Sequence, residues 1–455
     1  MEQNPWENAT DGLFKTEGAH STAADKPVVV KTTNKKKTKK VQNKGGEKKK
    51  EEVNKKSQPK DAEMTDDKEE IKVSRSTGGY NPTRKAKGKS DENVIKKSDE
   101  EGFTGEPKEW FDDKAFKKGL IADFTHKEGG DYYFESYSNF YIHEEMLKDK
   151  VRTQSYQNAI ENNPEAFKDK IVLDIGCGTG VLSIFAARAG AKKVYGIDNA
   201  DIVHYAREIV KVNGFQEQIE IIQGKVEEIE LPVKKVDIII SEWMGYFLVY
   251  ESMMDTVLFA RDKWLVKGGL ILPDKCTMKV AAIEDEDYKN KKLTFWDSVY
   301  GINMSCLTPA TFVEPCVDTV NHEAIVSSID TFKEFDLNTV TVEELEFSTK
   351  YSVKMKREDA IHGIVTWFDI TFGGMKNEVR FSTGPFAEYT HWKQTVFYFE
   401  GSYDVGTGDI LEGSIACKKS NENFRACDLK ISYHYIPPKG CGVDPHSQVL
   451  QYKLR

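Results

Sequence analysis

The sequence predicts an α/β domain built on a parallel sheet, followed by a mostly antiparallel β domain. Two observations carry this prediction. Before Pro273, strand-like runs rich in Ile, Val and Leu alternate with helix-like runs, which is the order of a parallel sheet with right-handed crossovers. After Pro273, strand-like runs follow one another with little helix between them, as antiparallel sheets require.

The α/β region, predicted at 106–273, starts with N-terminal helices and then alternates. HEEMLKDKVR carries acids early and bases late, which suits the dipole of a helix. The next runs are the strand IVLDI, the helix VLSIFAARAGA with its stop at Gly190, the strand KKVYGID and the helix DIVHYAREIVKVNGF. Further strand-like runs are IEIIQGKVEEI, VDIIISEW and LILPD.

The second domain, predicted at 274–455, contains strand-like runs such as TMKVAAIE, ILEGSIACKK and LKISYHYI. One segment interrupts this pattern. DYKNKKLTFWDSVYGINMSCL has aromatic residues before Gly301 and other apolar residues after it. These apolar side chains pack either against another subunit or against their own domain.

The first 105 residues differ in composition from the rest of the chain. KTTNKKKTKK and EKKKEEVNKK are charge blocks with almost nothing to bury, which predicts a disordered tail. The tail carries a net charge of about +5, so the remainder of a chain of net charge −9 carries about −14. The tail is either a solvated extension or an arm for nuclear import or nucleic-acid contact. The acidic body attracts cationic ligands and disfavours nucleic acid.

Cysteine usage and hydropathy bear on the cellular compartment. Seven Cys are scattered without a C-x-x-C pair, which disfavours a zinc site and predicts reduced thiols in an intracellular protein. The N-terminus has no apolar signal core, and no run approaches the roughly 20 apolar residues of a membrane helix. We therefore expect a soluble intracellular protein without a metal.

A Gly-rich turn after the first strand predicts a cofactor site. D-I-G-C-G-T-G begins at Asp174, and its small residues let the backbone approach a ligand closely. Its spacing differs from the G-x-G-x-x-G of dinucleotide sites. Asp198 ends the second strand, where a carboxylate can accept both ribose hydroxyls, and Glu227 follows the third strand near the expected adenine. This acidic rim suits S-adenosylmethionine, a sulfonium cation without phosphate.

The stretch SEWMGYFLVYESMM combines aromatic and aliphatic residues with two carboxylates, Glu242 and Glu251. It contains no Lys or Arg, and a buried carboxylate is costly without a partner. Two carboxylates can bracket a planar guanidinium with charge-assisted hydrogen bonds. The alternative is a solvated loop.

Four blocks resemble the protein arginine N-methyltransferases, specifically the type I branch. They are the glycine motif from Asp174, the paired-Glu stretch, YTHWKQTVFY and DYYFESYSNFYIHEEMLKDKVRTQSY, and the resemblance spans roughly residues 123–455. The paired-Glu and Thr-His-Trp blocks are specific to this family, whereas many methyltransferases share the glycine motif. The resemblance implies a Rossmann-like S-adenosylmethionine-dependent methyltransferase domain, a β-barrel-like domain, and a helical dimerisation arm at about 287–311.

The resemblance also implies residue roles. Glu242 and Glu251 match the carboxylates that grip the substrate guanidinium. His391 matches the His of the Thr-His-Trp loop, with Asp149 as its partner. Tyr137 and Met146 match active-site positions. The positions that match cofactor-binding residues are His143, Arg152, Asp174, Gly176, Gly178, Asp198 and Glu227.

One residue departs from the family pattern. The family usually has Glu at the ribose position, whereas this chain has Asp198, whose side chain is one methylene shorter. The departure bears on cofactor affinity rather than on the chemistry. Two other positions also have a simpler interpretation. His391 can have an ordinary structural role, and Met146 can serve helix packing.

The expected reaction is direct methyl transfer from S-adenosylmethionine to arginine, giving monomethyl- and asymmetric dimethylarginine in Arg/Gly-rich proteins and histone tails. Either Glu251 or the Asp149–His391 pair can receive the proton. The alternatives are a scaffold that keeps the fold without catalysis and a methyltransferase for another acceptor. The resemblance further implies a homodimer through residues 287–311. We expect it in the nucleus and cytoplasm, and hydropathy and charge predict no membrane contact and nucleic-acid contact only through the basic tail.

Overall fold

The computed structural model describes residue 103 and residues 136–421, 423, 425–437 and 445–455. The predicted tail, apart from Phe103, lies outside the described residues, and so do residues 106–135 and Cys441. No helix in the described part of the chain is long and apolar enough to cross a membrane.

Two helices, rather than one, form the entry to the α/β domain. Helix α1 (Phe140–Lys148) and helix α2 (Lys150–Glu161) are separated by Asp149, whose backbone is extended at φ −67° and ψ 98°. The Asp149 carboxylate accepts the Arg152 backbone N–H and so caps α2. The acid-to-base gradient of HEEMLKDKVR therefore spans a helix break. A short helix, α3 (Pro164–Phe167), follows.

A five-stranded parallel sheet forms the centre of this domain, in the order β3-β2-β1-β4-β5. Its three central strands are apolar and buried because helices cover them, whereas its two edge strands are partly exposed. The elements are β1 (Ile171–Ile175), α4 (Val181–Arg188), β2 (Lys193–Asp198), α5 (Val203–Val212), β3 (Ile219–Gln223), β4 (Val236–Ser241), α6 (Met254–Trp264) and β5 (Leu265–Leu272).

The second half of the chain is antiparallel, and its first strand is β6 (Lys275–Ile283). One sheet has the strand order β7-β12-β10-β6-β8, with β11 beside β10, and the other has the order β15-β14-β13-β9. The remaining strands are β7 (Cys316–Asp318), β8 (Asp330–Asp336), β9 (Phe347–Lys354), β10 (Asp359–Phe372), β11 (Val379–Ser382), β12 (Gln394–Val405), β13 (Ile410–Lys419), β14 (Cys427–Ile436) and β15 (His446–Leu454). The predicted fold class is confirmed.

The predicted arm is mainly helical. It contains α7 (Glu286–Leu293), two short 3₁₀ turns (Thr294–Asp297 and Ser305–Leu307) and α8 (Thr308–Val313). Its base packs on its own domain, since the Tyr288 ring stacks on Tyr398 of β12. Its tip does not, because Phe295 is 51% exposed and Tyr300 is fully exposed.

One hydrophobic core runs through both halves of the chain. It joins strands of the parallel sheet and Phe247 of the paired-Glu loop to residues of the antiparallel sheets, including Phe332 and Phe397. The Phe247 ring makes an edge contact with Phe397, with centroids 5.6 Å apart. The paired-Glu loop is therefore fixed from both domains.

Candidate active site

A cavity of about 360 Å³ opens at the carboxyl edge of the parallel sheet. This is where open α/β sheets bind ligands, next to the point at which the strand order reverses. The structure brings most of the predicted site residues to its wall. They are Tyr137, His143, Met146, Arg152, Gly176, Gly178, Asp198, Glu227, Glu242, Glu251 and His391.

The glycine loop forms one wall of the cavity and leaves no room for side chains. Gly176 and Gly178 have φ angles of +67° and +51°, in the left-handed region that favours glycine. A Cβ atom at Gly176 would lie 2.5 Å from Met253 Cε, and one at Gly178 would lie 3.2 Å from His143 Cε1. The main chain at Gly176 and Gly178 therefore faces the cavity without a side chain between it and a ligand.

Asp174 lies behind this loop rather than on the cavity wall. It is fully buried, and the Ser183 hydroxyl donates to its Oδ2 at 2.6 Å. Burial raises the pKa of Asp174 to about 7, although the Ser183 hydrogen bonds act in the opposite direction. Its other oxygen, Oδ1, has no hydrogen-bond partner among the described residues.

Asp198 is oriented by two backbone N–H groups. Gly178 N–H donates to its Oδ2 and Ala200 N–H to its Oδ1, both at 2.9 Å. Burial raises the pKa of Asp198, and these two hydrogen bonds act against that rise. A carboxylate has about four lone-pair sites, so Asp198 keeps acceptor capacity for a ligand hydroxyl. The Asp198 side chain, although one methylene shorter than Glu, is thus held in a fixed position.

His143 and Glu227 complete the cofactor end of the cavity. His143 Nε2 donates to the Tyr137 carbonyl at 2.7 Å, and burial lowers the pKa of His143. Glu227 Oε1 accepts the Thr256 hydroxyl at 2.7 Å. Thr256 also lines the cavity, and no motif in the sequence had singled it out.

Glu242 is held by an arginine that the sequence analysis had assigned to the cofactor. Arg152 Nε and Nη2 both donate to Glu242 Oε2, at 2.9 and 2.8 Å, and each side chain is only 8% exposed. Oε1 of Glu242 has no partner among the described residues. A buried carboxylate thus keeps one acceptor available in the cavity.

The paired-Glu loop has a strained backbone. Phe247, Leu248 and Glu251 have φ angles of +51°, +64° and +52°, which cost about 1–2 kcal/mol each for L-residues. A Cβ atom at Gly245 would lie 1.4 Å from the Tyr250 carbonyl oxygen, so only glycine allows the loop to turn back here. This turn brings Glu242 and Glu251 to the same cavity.

Contacts from the antiparallel domain hold this loop. Trp392 Nε1 donates to the Met244 carbonyl at 3.0 Å, and Glu251 N–H donates to the Arg425 carbonyl at 2.8 Å. Arg425 lies between β13 and β14 and also lines the cavity. Sequence reasoning missed Arg425 because no motif surrounds it and it is 174 positions from Glu251.

Asp149 and His391 form a close pair at the rim. Asp149 Oδ2 lies 2.7 Å from His391 Nδ1 and also accepts the His391 backbone N–H at 2.9 Å. Burial acts to raise the pKa of Asp149, but the hydrogen bonds from His391 and Arg152 outweigh it and keep that pKa below its usual value. Asp149 itself lines an adjacent surface groove with His391.

Comparison with known proteins agrees with this geometry. Residues 274–436 match the arginine methyltransferase oligomerization subdomain, and residues 153–296 match the ribosomal protein L11 methyltransferase model. The chain is 53% identical to protein arginine N-methyltransferase 1 of Saccharomyces cerevisiae over 336 residues, 73% of this chain and 96% of that protein. It is 50% identical to the protein of the same name from Dictyostelium discoideum, over 74% of this chain and 97% of that protein.

Solved structures show the same relationship. The protein arginine methyltransferase 1 enzyme–prozyme heterotetramer of Trypanosoma brucei, solved with S-adenosylhomocysteine, superposes with a TM-score of 0.66 at 44% identity, covering 70% of this chain and 100% of that chain. Protein arginine methyltransferase 10 of Arabidopsis thaliana gives a TM-score of 0.64 at 32% identity, covering 71% and 100%. The chain therefore belongs to the protein arginine N-methyltransferase family.

Proposed function

We propose that this chain is a type I protein arginine N-methyltransferase, which uses S-adenosylmethionine to form monomethyl- and asymmetric dimethylarginine. The observation that carries the proposal is the meeting of Glu242 and Glu251 in the same cavity as the glycine loop. The identity to protein arginine N-methyltransferases and the S-adenosylhomocysteine in a related structure support it.

The cavity residues fit S-adenosylmethionine. The bare backbone at Gly176 and Gly178 accepts a ligand at close range, and the oriented Asp198 carboxylate has acceptor sites left for ribose hydroxyls. Glu227 adds a further carboxylate to the wall. When bound, S-adenosylmethionine supplies a methyl group on a cationic sulfonium, a charge that this acidic cavity favours.

The two carboxylates have different surroundings, which suits the binding of one guanidinium. Two adjacent unpaired carboxylates would repel each other and raise their pKa values. Arg152 offsets the charge of Glu242 while leaving Oε1 available to a guanidinium, and Glu251 adds a second carboxylate to the same cavity. Together they draw positive charge toward two nitrogens of the guanidinium and leave one nitrogen better able to attack.

Aromatic side chains exclude water around these carboxylates. Trp243 and Phe247 are buried, and the rings of Tyr246 and Tyr250 stack with centroids 6.2 Å apart. A low-dielectric wall would strengthen the hydrogen bonds that position the guanidinium for attack on the methyl group of bound S-adenosylmethionine. Catalysis then comes mainly from positioning and electrostatics.

Either Glu251 or His391 can receive the proton, and the geometry favours His391. Asp149 accepts the Nδ1 proton of His391, so the neutral ring has Nε2 as its proton acceptor. His391 lines the cavity, whereas Asp149 connects to the surface groove beside it. This arrangement provides a route for the proton away from the cationic substrate.

Assembly and substrates complete the proposal. The exposed apolar tip of the arm, together with the match to an oligomerization subdomain, supports a homodimer that forms through residues 287–311. The groove beside His391 contains Lys148, which pairs with Glu144, and Lys150, but its carboxylates outnumber its lysines. Glu145 and Glu388 are among these carboxylates and suit the basic side chains of Arg/Gly-rich proteins and histone tails. We place the enzyme in the nucleus and cytoplasm, with direct nucleic-acid contact limited to the basic tail.

Replacement of Glu251 tests the central role of the carboxylate pair. Glu251→Gln removes the charge that attracts the guanidinium, so methylation of an Arg/Gly-rich peptide should fall by about 10²–10³-fold. Calorimetry should show unchanged binding of S-adenosylmethionine. Glu230→Gln, at a side chain that is 83% exposed, serves as the control and should stay active. A fully active Glu251→Gln enzyme would remove Glu251 from the mechanism.

Replacement of Asp149 tests the proton route. Asp149→Asn keeps the shape but no longer fixes the tautomer of His391, so kcat should fall by about 10²–10⁴-fold with little change in KM. The exposed Asp262→Asn is the matched control. A kcat within twofold of wild type would leave Glu251 as the proton acceptor.

The same variant has a predicted effect on stability. Because the pKa of Asp149 is depressed in the folded protein, its stabilising contribution is present above the ordinary value of 3.8 and is lost as the pH falls through the lower folded value. The Tm deficit of Asp149→Asn at pH 7 should therefore shrink as the pH falls through that window.

Truncation of the arm tip tests the dimer. The double variant Phe295→Ala, Tyr300→Ala removes exposed apolar area, and sedimentation should show monomers at micromolar concentration where the wild type is a dimer. The double variant Ile329→Ala, Val342→Ala removes exposed apolar side chains elsewhere and should remain dimeric. A monomeric wild-type chain would contradict the proposed assembly.

A further inference from the structure

The four-stranded sheet β15-β14-β13-β9 has one face in the core and one face outside it. Phe347, Ile415, Cys417, Leu429 and Ile431 belong to the hydrophobic core. Because side chains alternate along a strand, their sequence neighbours point to the opposite, outer face. We call this second face the outer face.

Ala416 on the outer face is buried although it does not belong to a core cluster. It is 0% exposed, and it pairs with Ser348 of β9 on one side and Lys430 of β14 on the other. A small side chain between such neighbours on an open sheet would keep contact with solvent. Residues from outside this sheet therefore cover the outer face at Ala416.

The next row of side chains on this face is also covered. Lys418 pairs with Asp428 across β13 and β14, with Nζ 3.7 Å from Oδ2. Their exposed fractions are 5% and 9%, although Lys and Asp are among the residues most often exposed in proteins. The cover thus extends along β13 beyond Ala416.

Phe103 is the described residue that lies on this face. Its backbone N–H donates to Ser348 Oγ at 2.7 Å, and Lys430 Nζ lies 4.8 Å from its ring centroid in a cation–π contact. Since Ser348 and Lys430 flank Ala416, these two contacts place Phe103 on the part of the outer face that contains Ala416. Ser348 is 245 positions away in sequence, so this is a tertiary contact.

The sequence around Phe103 complements the charge of the outer face. SDEEGFTGEP, residues 98–107, carries four carboxylates and no basic side chain. The register places Lys350, Lys418, Lys430 and Lys453 on the outer face. The acids on either side of Phe103 in the sequence are thus opposite in charge to these lysines, of which Lys418 pairs with Asp428 on the same face.

We propose that the outer face of this sheet is a docking surface for residues 98–107 of the same chain, with Phe103 as the anchor. Docking attaches the lysine-rich N-terminal region to the β domain at a defined point. The surface is separate from the catalytic cavity, because neither Phe103 nor Ser348 lines that cavity. The proposal therefore does not depend on the proposed reaction.

Lysine labelling of the full-length chain tests the proposal directly. In Phe103→Ala, the Lys430 amine loses its aromatic cover, so its rate of acetylation by an N-hydroxysuccinimide ester, followed by mass spectrometry, should rise several-fold. Lys211, whose side chain is 67% exposed, is the internal reference and should not change. Phe14→Ala makes the same substitution elsewhere in the N-terminal region and should leave Lys430 as in the wild type.

Hydrogen exchange supplies the second measurement. A peptide covering residues 98–107 should exchange more slowly in the wild type than in Phe103→Ala, since the Phe103 N–H is hydrogen-bonded to Ser348. Equal labelling and equal exchange in both chains would overturn the proposal. Protection that appears only as the protein concentration rises would also overturn it, because the segment would then come from a second copy.

Discussion

The buried ion pair between Arg152 and Glu242 is the interaction on which the site depends. It joins helix α2 to the end of strand β4, with both side chains 8% exposed. Removal of one partner would leave an uncompensated buried charge, at a cost of about 3–5 kcal/mol. The pair also affects the charge of the cavity, because Arg152 offsets the charge of Glu242 while one Glu242 oxygen stays available in the cavity that Glu251 also lines.

The second half of the chain completes the site. The paired-Glu loop contains three non-glycine residues in the left-handed region, a conformation that persists only when the surroundings impose it. Trp392 and Arg425 supply those restraints through main-chain hydrogen bonds, and His391, next to Trp392, meets Asp149 at the helix break. A methyltransferase domain alone would lack these contacts, which gives a physical reason for the fusion of the two domains.

Local patterns predicted much of this arrangement, and tertiary contacts account for the rest. The glycine loop and the paired carboxylates could be predicted from the sequence because each needs particular residue types at a fixed spacing. The helix break at Asp149 was not predicted, since the charge gradient of HEEMLKDKVR suits a helix whether or not a cap interrupts it. The resemblance assigned Arg152 to the cofactor, and its ion pair with Glu242 was not predicted because the two residues are 90 positions apart. Thr256, Arg425 and Phe103 lie in no recognisable motif, so the sequence alone did not predict their roles.

The measurement that tests the account most directly is product analysis of an Arg/Gly-rich peptide after incubation with the full-length chain and S-adenosylmethionine. Fragmentation in the mass spectrometer distinguishes the two dimethylarginine isomers. The account predicts monomethylarginine followed by asymmetric dimethylarginine, with the methyl groups on one terminal nitrogen. Symmetric dimethylarginine would contradict the type I assignment, and absence of methylation by a chain that binds S-adenosylmethionine would contradict the assignment of arginine as the acceptor.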